Sequence, residues 1–327
     1  MNYNDIISLD NLLEAWKEFV KGKRNKKDVQ EFQYQLSDNI ISLHEKLRGR
    51  TYLHSGYYAF NISDPKPRNI HKATVQDRLL HHALCRKLYP IFDIHYINDS
   101  YSCRKIKGTH RALKHFISFV NKASKNNIKT LWILKCDVRK FFASVDHAIL
   151  GQILQKYIQD KEVIKLLEEV IRSFQSTRSD KGLPLGNLTS QLFANIYLNE
   201  FDQFVKHVLK QKYYIRYADD FVIMSQNREE LLKILPEISN YLEKNLKLLL
   251  HPDKVFIKTV ASGVDFLGWV HFLHHRVLRT TTKKRMFTRL ESVNYDNNVS
   301  SSYLGLLKHG NANKLRKIIL SQITKTS

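Results

Sequence analysis

The sequence predicts an α+β fold, and two observations lead to that prediction. From residue 131 onward, apolar β-branched runs and amphipathic runs alternate in the order strand, helix, turn and helix, strand, strand, helix, strand. That order is the split β-α-β pattern, in which a central strand lies beside a hairpin. Residues 1–50 carry apolar side chains at helical spacing, among them Leu12, Trp16 and Phe19. A helical segment is therefore expected to precede a mixed sheet.

Basic residues are in large excess along the whole chain. The 327 residues include 53 Lys+Arg against 31 Asp+Glu, which gives a net charge of +22, and the cations alternate with 16 Tyr and 17 Phe. A field of this size and sign favours a polyanion, and the interleaved aromatics favour nucleic acid. An anionic membrane surface is disfavoured, because no basic amphipathic helix with an insertable apolar face is apparent.

Cysteine usage and the termini indicate the compartment. Cys85, Cys103 and Cys136 have no CxxC spacing, which argues against a disulfide framework and a zinc site. Neither a signal peptide nor an 18-residue apolar run is found. We therefore expect a cytoplasmic protein without a membrane span.

An acidic pair carries the strongest chemical signal. Asp219 and Asp220 lie between two aromatic and β-branched runs within residues 213–224, which predicts two strands joined by an acidic turn. Adjacent carboxylates repel each other, so such a turn is typical of a site for a hard divalent cation. Asp137 directly follows a predicted buried strand at residues 131–136, where a cap of the next turn is an equal interpretation. In the split pattern the three carboxylates meet, which suits two-metal phosphoryl transfer.

Several other segments carry a functional and a structural interpretation. Residues 52–60 alternate like a strand, and the following proline-rich turn presents Lys66 and Arg68 either to a triphosphate or only to solvent. The Gly/Pro turn at residues 181–191 allows close approach of backbone to a ligand. Residues 278–327 are predicted to be helical and basic, with a polar loop at residues 294–302.

Five segments together resemble the palm of a reverse transcriptase, and each of them alone is weak. They are residues 135–142 around Asp137, residues 182–190, the Tyr-Ala-Asp-Asp run at 217–220, Lys254, and residues 266–269. The resemblance covers nearly the whole chain. It implies a right-hand polymerase with fingers, a ferredoxin-like palm and a small helical thumb.

The resemblance also implies domain limits. Residues 1–50 would form an N-terminal helical extension and residues 51–130 the fingers. Residues 131–277 would form the palm, with some fingers elements, and residues 278–327 the thumb.

Site roles follow from the same resemblance. Asp137, Asp219 and Asp220 would hold two Mg²⁺ ions, for which Mn²⁺ is an expected substitute, with help from the Val138 carbonyl. Lys254 would either protonate the leaving pyrophosphate or line the site. The residues expected at the nucleotide are Lys66, Arg68, Phe142, Leu185, Gly186 and Gln191. Phe142 would exclude a ribose 2′-hydroxyl, although an ordinary core Phe is the alternative. The primer end would contact Phe266, Leu267, Gly268 and Trp269.

Within the family, the chain is most similar to reverse transcriptases of diversity-generating retroelements. The segments that carry this are residues 98–113, 185–191 and 302–309. Most relatives have Gln where this chain has Leu185 and Pro where it has Gln191. The resemblance implies error-prone synthesis at template adenines. The implied partners are template RNA, a DNA or RNA primer, dNTPs, and a small basic oligomeric accessory protein, in a bacterial, archaeal or phage setting.

Four alternatives remain at the level of the sequence. Group II intron, retron and phage-defence reverse transcriptases share the palm motifs; the sequence ends at residue 327 without a maturase segment, and it lacks a Val-Thr-Gly signature. A non-catalytic RNA-binding palm is a further possibility, which the presence of all three carboxylates argues against.

Overall fold

The computed structural model describes residues 1–63, 67–176 and 180–326. Four helices open the chain, as the helical spacing predicts: α1 (Tyr3–Ile7), α2 (Leu9–Phe19), α3 (Lys27–Tyr34) and α4 (Leu36–Arg48). Ser8 starts α2, because its side chain accepts the N–H of Asn11. The apolar face of α2 packs on α5 (Val75–Asp93), so the N-terminal helices share a core with the rest of the chain.

A two-stranded hairpin follows, formed by β1 (Tyr58–Ile62) and β2 (Arg68–Lys72) in antiparallel pairing. The strand predicted over residues 52–60 is wrong for residues 52–57. Tyr52 is buried there, and its hydroxyl donates to Asp77 Oδ1 at 2.7 Å. The alternating side chains of this stretch therefore anchor the chain to α5 instead of joining a sheet. Helix α6 (Thr109–Ala123) completes this part of the structure.

The central sheet has four strands, β3 (Trp132–Asp137), β4 (Tyr214–Tyr217), β5 (Asp220–Ser225) and β6 (Phe256–Thr259). Their order is β4-β5-β3-β6, and every neighbouring pair is antiparallel. Strands β3 and β4 are therefore parallel with β5 between them, and β5 and β6 are parallel with β3 between them. Two interleaved split β-α-β units of this kind make a ferredoxin-like sheet. The predicted α+β class is confirmed.

Helices cover both faces of this sheet. Those between the strands are α7 (Phe141–Ser144), α8 (His147–Tyr157), α9 (Lys161–Arg172), α10 (Leu188–Gln203) and α11 (Arg228–Leu246). A π-helical turn, Phe204–Val208, extends α10. Alternate residues of β5 enter different cores: Phe221 joins the core of α10 and α11, and Val222 joins the core that contains α6. This alternation is the period of two that a strand imposes.

A second sheet and three helices end the chain. The strands are β7 (Val264–Phe266), β8 (Trp269–His271) and β9 (Arg276–Leu278), and the helices are α12 (Thr280–Ser292), α13 (Asn297–Leu307) and α14 (Asn313–Thr326). The polar loop predicted over residues 294–302 is wrong from residue 297 onward. Asp296 accepts the N–H groups of Asn298 and Val299 and so caps α13, which the polar composition conceals.

The segment between α13 and α14 packs closely against the second sheet. Gly310 lies against the Trp269 ring so closely that a Cβ atom at this position would collide with it. The Arg276 guanidinium covers the same ring at 5.4 Å.

No helix in the described ranges has the length and apolar character needed to cross a bilayer. One core runs from the N-terminal helices into the central sheet, so no break in packing marks the predicted domain limits. These limits stay predictions.

Candidate active site

The three predicted carboxylates come together where β3 ends and β5 begins. Asp137 is the last residue of β3 and Asp220 the first of β5, and they are direct partners across the antiparallel ladder. Asp219 lies in the connecting turn, where its carbonyl accepts the N–H of Val138 at 3.2 Å. Ala218 precedes it with a left-handed φ of 54°, which tightens the turn. Residues far apart in sequence thus share one edge of the sheet.

This edge has an excess of negative charge. Burial raises the pKa of Asp220 to about 7, and the neighbouring charges of Asp137 and Asp219 add to the rise, although Lys135 opposes it. The Lys135 ammonium lies 3.4 Å from Asp220 Oδ2, whereas Oδ1 is buried without a hydrogen-bond partner. Burial and the Asp137 charge also raise the pKa of Asp219. The raised pKa values show that the nearby ammonium groups do not balance the burial and mutual repulsion of these carboxylates.

Lys254 approaches the same site from the solvent side. Its ammonium donates to Asp137 Oδ1 at 2.9 Å, and its side chain is 42% exposed. A 3₁₀ turn, Pro252–Lys254, presents it. The residue before that turn, His251, donates its backbone N–H to the Asp137 carbonyl at 2.8 Å. The lysine is thus held beside Asp137 by the backbone as well as by its charge.

The carboxylates suit a hard divalent cation by their chemistry, although they are not arranged as a finished metal centre. No group of three or more His, Cys, Asp or Glu in the described residues is placed to hold a metal ion as it stands. Lys254 and Lys135 instead contact oxygens of Asp137 and Asp220. Three carboxylates, with one buried oxygen unpartnered, fit Mg²⁺ once the ammonium groups give way.

Phe142 lies beside the acidic turn. It lines a small pocket together with Gln191, Ala218 and Cys103. Phe142 is half-buried, whereas its neighbour Phe141 is buried in the core, with the two ring centres 5.4 Å apart. Of the two rings, Phe142 is therefore the one that borders the pocket.

The predicted glycine turn contacts the β1–β2 hairpin. The His71 N–H donates to the Leu185 carbonyl at 2.9 Å, and the Asn187 side chain donates to the His71 carbonyl at 2.8 Å. Gly186 has φ +109°, and a Cβ atom there would lie 2.8 Å from Ile70 Cγ2. Only glycine suits this position, because both the conformation and the close contact exclude a side chain. Leu185 is consequently fixed to the β1–β2 hairpin through its carbonyl.

The remaining predicted residues differ in how close they come to the carboxylates. Arg68 begins β2, is exposed, and belongs to the charges that lower the pKa of Asp219 against the effect of burial. Lys66 lies outside the described residues. Phe266 and Trp269 are buried, which leaves Leu267 and Gly268 at the β7–β8 turn for any contact with a primer. Their assigned roles stay predictions.

The sequence analysis overlooked Arg216, which holds the acidic turn in place. The side chain is fully buried, and its Nε and Nη2 donate to the two oxygens of Asp202 at 2.7 and 2.6 Å. The other bonds run to Ser100, Asn195 and, at 3.0 Å, the Ala218 carbonyl. All five N–H donors of the guanidinium are thus used. An arginine inside an apolar strand was the available signal, since a buried charge requires a partner.

Comparison with known proteins decides the family. A family model described as "Reverse transcriptase (RNA-dependent DNA polymerase)" matches residues 63–271. The chain belongs to the reverse transcriptase family. This reverse transcriptase is 26% identical over 260 residues to the protein YkfC of Escherichia coli, covering 68% of this chain and 66% of that protein. It is 23% identical over 296 residues to the group II intron-encoded protein LtrA of Lactococcus lactis subsp. cremoris, covering 70% and 47%. It therefore spans less than two thirds of either relative.

Solved telomerase structures share the fold of this reverse transcriptase. Telomerase from Candida albicans in complex with a TWJ fragment of telomeric RNA matches with a TM-score of 0.53 and 11% identity, covering 81% of this chain and 55% of that one. Telomerase from Candida tropicalis with the same kind of RNA fragment gives 0.52 and 13%, covering 90% and 56%. The predicted right-hand polymerase fold is confirmed.

Proposed function

We propose that this reverse transcriptase is an RNA-templated DNA polymerase that extends a primer 3′-hydroxyl with dNTPs. The observation that carries the proposal is the meeting of Asp137, Asp219 and Asp220 at one edge of a ferredoxin-like sheet. The matched family region, residues 63–271, contains all three. A buried, unpartnered carboxylate oxygen is costly to maintain, which supports a functional reason for it.

In the proposed reaction, the primer 3′-hydroxyl loses its proton to solvent as its oxygen attacks the α-phosphorus of the dNTP, the bond from that phosphorus to the bridging β-phosphate oxygen breaks, and pyrophosphate leaves. The three aspartates would hold two Mg²⁺ ions, which would supply positive charge to the attacking and leaving oxygens. Lys254 lies beside Asp137, where its ammonium can neutralise or protonate the departing pyrophosphate. Arg68, at the start of β2, acts electrostatically on Asp219 of the same site. Of the two predicted cations, it is the one within the described residues and is our candidate for binding the triphosphate.

Primer extension on a defined RNA template tests this function. Wild-type protein with dNTPs and Mg²⁺ is expected to extend a DNA primer, and Asp219→Ala is expected to reduce the rate at least about a thousandfold, because a metal ligand is removed. Omitting the template distinguishes templated synthesis from the template-free extension of a defence-type enzyme. Equal signals from the wild type and the variant would mean that the protein has no polymerase activity of its own and would favour an RNA-binding palm.

Phe142 is proposed as the side chain that rejects ribonucleotides. Its ring lines the pocket beside Ala218, and bulk at that position would clash with a 2′-hydroxyl. Phe142→Ala is expected to narrow the preference for dCTP over CTP by about 10- to 100-fold, in line with one lost steric contact. Phe141→Leu, a conservative change in the core, serves as the control and should leave the preference unchanged. A preference unaltered in Phe142→Ala would assign this ring to the core alone.

Within the family, we propose the diversity-generating type. Residues 98–113, 185–191 and 302–309 support it, and the setting would then be the cytoplasm of a bacterial, archaeal or phage-infected cell. A small basic oligomeric accessory protein would bind the polymerase and its RNA. A group II intron-type enzyme is the second candidate, because LtrA, itself a group II intron-encoded protein, is among the relatives. The error spectrum separates the two.

Leu185 provides the test of low fidelity. Leucine cannot form a side-chain hydrogen bond, whereas glutamine at this position could bond near the sugar and the template base. Leu185→Gln is expected to lower misincorporation opposite template adenine by about tenfold, the effect of one hydrogen bond. The measurement is sequencing of cDNA from a fixed RNA template, with Leu185→Met as a control of similar size. An error rate that stays equal or rises in Leu185→Gln would contradict the proposal.

A further inference from the structure

A basic pocket opens on the proposed palm at Arg139, two residues after Asp137, and is not part of the site described above. Four cationic side chains line it, namely Arg139, Lys140, Lys181 and Lys247. The rest of the lining is uncharged and consists of Ala143, Ser144, Ser176 and Leu249. All the charged residues among the described lining are therefore cationic.

Three separate elements bring these cations together. Lys140 precedes α7 in a left-handed conformation with φ 46°, and the Ser144 hydroxyl donates to its carbonyl at 3.0 Å. Lys181 pairs with Asp146 through an isolated backbone bridge. Lys247 ends α11, also in a left-handed conformation, with φ 48°. The backbone at each of the three lysines is therefore held in a defined conformation or pairing.

The positive charge of the pocket is largely uncompensated. Lys247 bonds to Asp146 Oδ2 at 2.7 Å, and the Asp146 side chain is only 7% exposed. Burial alone would raise the pKa of Asp146, but the bonds from Lys247 and Ile149 hold it below the usual value. Within the described ranges, no carboxylate forms an ion pair with Arg139, Lys140 or Lys181. Like charges gathered in one concavity attract and concentrate anions.

The lining suits phosphate groups and little else. The described residues that line the pocket include no aromatic ring on which a base could stack. The Ser144 and Ser176 hydroxyls already donate to backbone carbonyls, so the cations are the remaining side-chain donors. The pocket also lies next to the proposed chemistry. Arg139 donates its N–H to the Leu249 carbonyl at 2.8 Å, and it follows Asp137 by two residues, which span at most about 7 Å of chain.

We infer that the basic pocket binds inorganic pyrophosphate. The four cations of the pocket, less the one paired carboxylate, Asp146, leave three net positive charges, which match the charge of this anion near neutral pH. The cations beside Asp137 would receive the pyrophosphate as it leaves. The inference rests on the proposed function only for the source of the pyrophosphate. The phosphodiester backbone of RNA carries the same chemical groups, and the test below distinguishes these two sources.

Calorimetric titration of the 327-residue protein with sodium pyrophosphate in metal-free buffer tests the inference. Lys140→Ala/Lys181→Ala is expected to bind pyrophosphate at least about tenfold more weakly than wild type, because two charge-assisted contacts are lost. Lys161→Ala/Lys233→Ala makes the same change in net charge at exposed positions outside the pocket and should match wild type. Arg68→Ala reports pyrophosphate bound at the proposed nucleotide site and should lower the affinity less than the pocket variant does.

Two results would overturn the inference. Pyrophosphate affinity that falls in Arg68→Ala and not in the pocket variant would place binding at the nucleotide site alone. Unchanged pyrophosphate affinity together with weaker binding of a blunt RNA hairpin by the pocket variant would assign the pocket to RNA backbone. Because neither titration needs turnover, a negative result is distinguishable from failure of the polymerase proposal, which primer extension reports.

Discussion

Asp220→Asn is expected to abolish primer extension while making the metal-free protein more stable. The activity should fall at least about a thousandfold, because the amide removes one of three anionic ligands at the proposed metal site. Stability should change in the opposite direction. Asp220 is buried, one of its oxygens has no partner, and burial followed by two like charges raises its pKa to about 7. Asparagine removes that cost.

The sign of the pH dependence follows from the raised pKa. A carboxyl whose pKa rises from 3.8 to about 7 on folding contributes its full stability below pH 3.8 and loses it as the pH rises towards 7. The loss amounts to about 4 kcal/mol, of which about 2–3 kcal/mol develops between pH 5 and pH 8. Wild type should therefore lose this stability relative to Asp220→Asn across that interval, because asparagine does not titrate.

Urea unfolding in EDTA at pH 5 and pH 8 measures the effect. The exposed Glu237 offers a matched control, since Glu237→Gln also removes one negative charge and should shift the free energy of unfolding by less than about 0.5 kcal/mol. Adding Mg²⁺ at pH 8 should stabilise wild type more than Asp220→Asn. A variant that is less stable than wild type at pH 8 without metal would show that Asp220 is not held under electrostatic strain.

The meeting of Asp137 with Asp220 could be predicted because it depends on the pattern of the sequence. The split β-α-β order places the end of β3 beside the start of β5, whatever packs around them. The contacts of Arg216 could not be predicted in this way. Its partners Asp202 and Ser100 lie 14 and 116 residues away, and no periodicity relates them to the strand. Tertiary packing alone decides which buried carboxylate meets a buried guanidinium.

The errors in the predicted elements have the same physical origin. Residues 52–57 have the alternation of a strand, but the hydrogen bond from Tyr52 to Asp77 fixes them against a helix. Residues 297–302 have the polar composition of a loop, but capping by Asp296 starts α13 there. Side-chain bonds to distant or neighbouring groups override local propensity in both cases.

Arg216→Met is expected to destabilise the protein by about 3–5 kcal/mol, because Asp202 would remain buried and charged without its partner. Such a loss of stability would be expected whether Arg216 serves only the fold or also positions the acidic turn. A triple variant distinguishes these two roles, namely Asp202→Leu/Tyr214→Phe/Arg216→Met. It also removes the Tyr214 hydroxyl that donates to Asp202 at 2.6 Å, so neither the buried charge nor that hydroxyl is left unpaired.

The triple variant should recover most of the stability, since a buried ion pair replaced by apolar groups of similar volume is often neutral. Primer extension should nevertheless stay at least about tenfold below wild type, because nothing donates to the Ala218 carbonyl and the turn that carries Asp219 is released. The stabilisation of the variant by Mg²⁺ in thermal unfolding should be smaller for the same reason, and this readout needs no turnover. If activity and the Mg²⁺ response both return with stability, Arg216 serves the fold alone. If stability returns without them, the guanidinium positions the acidic turn for metal binding.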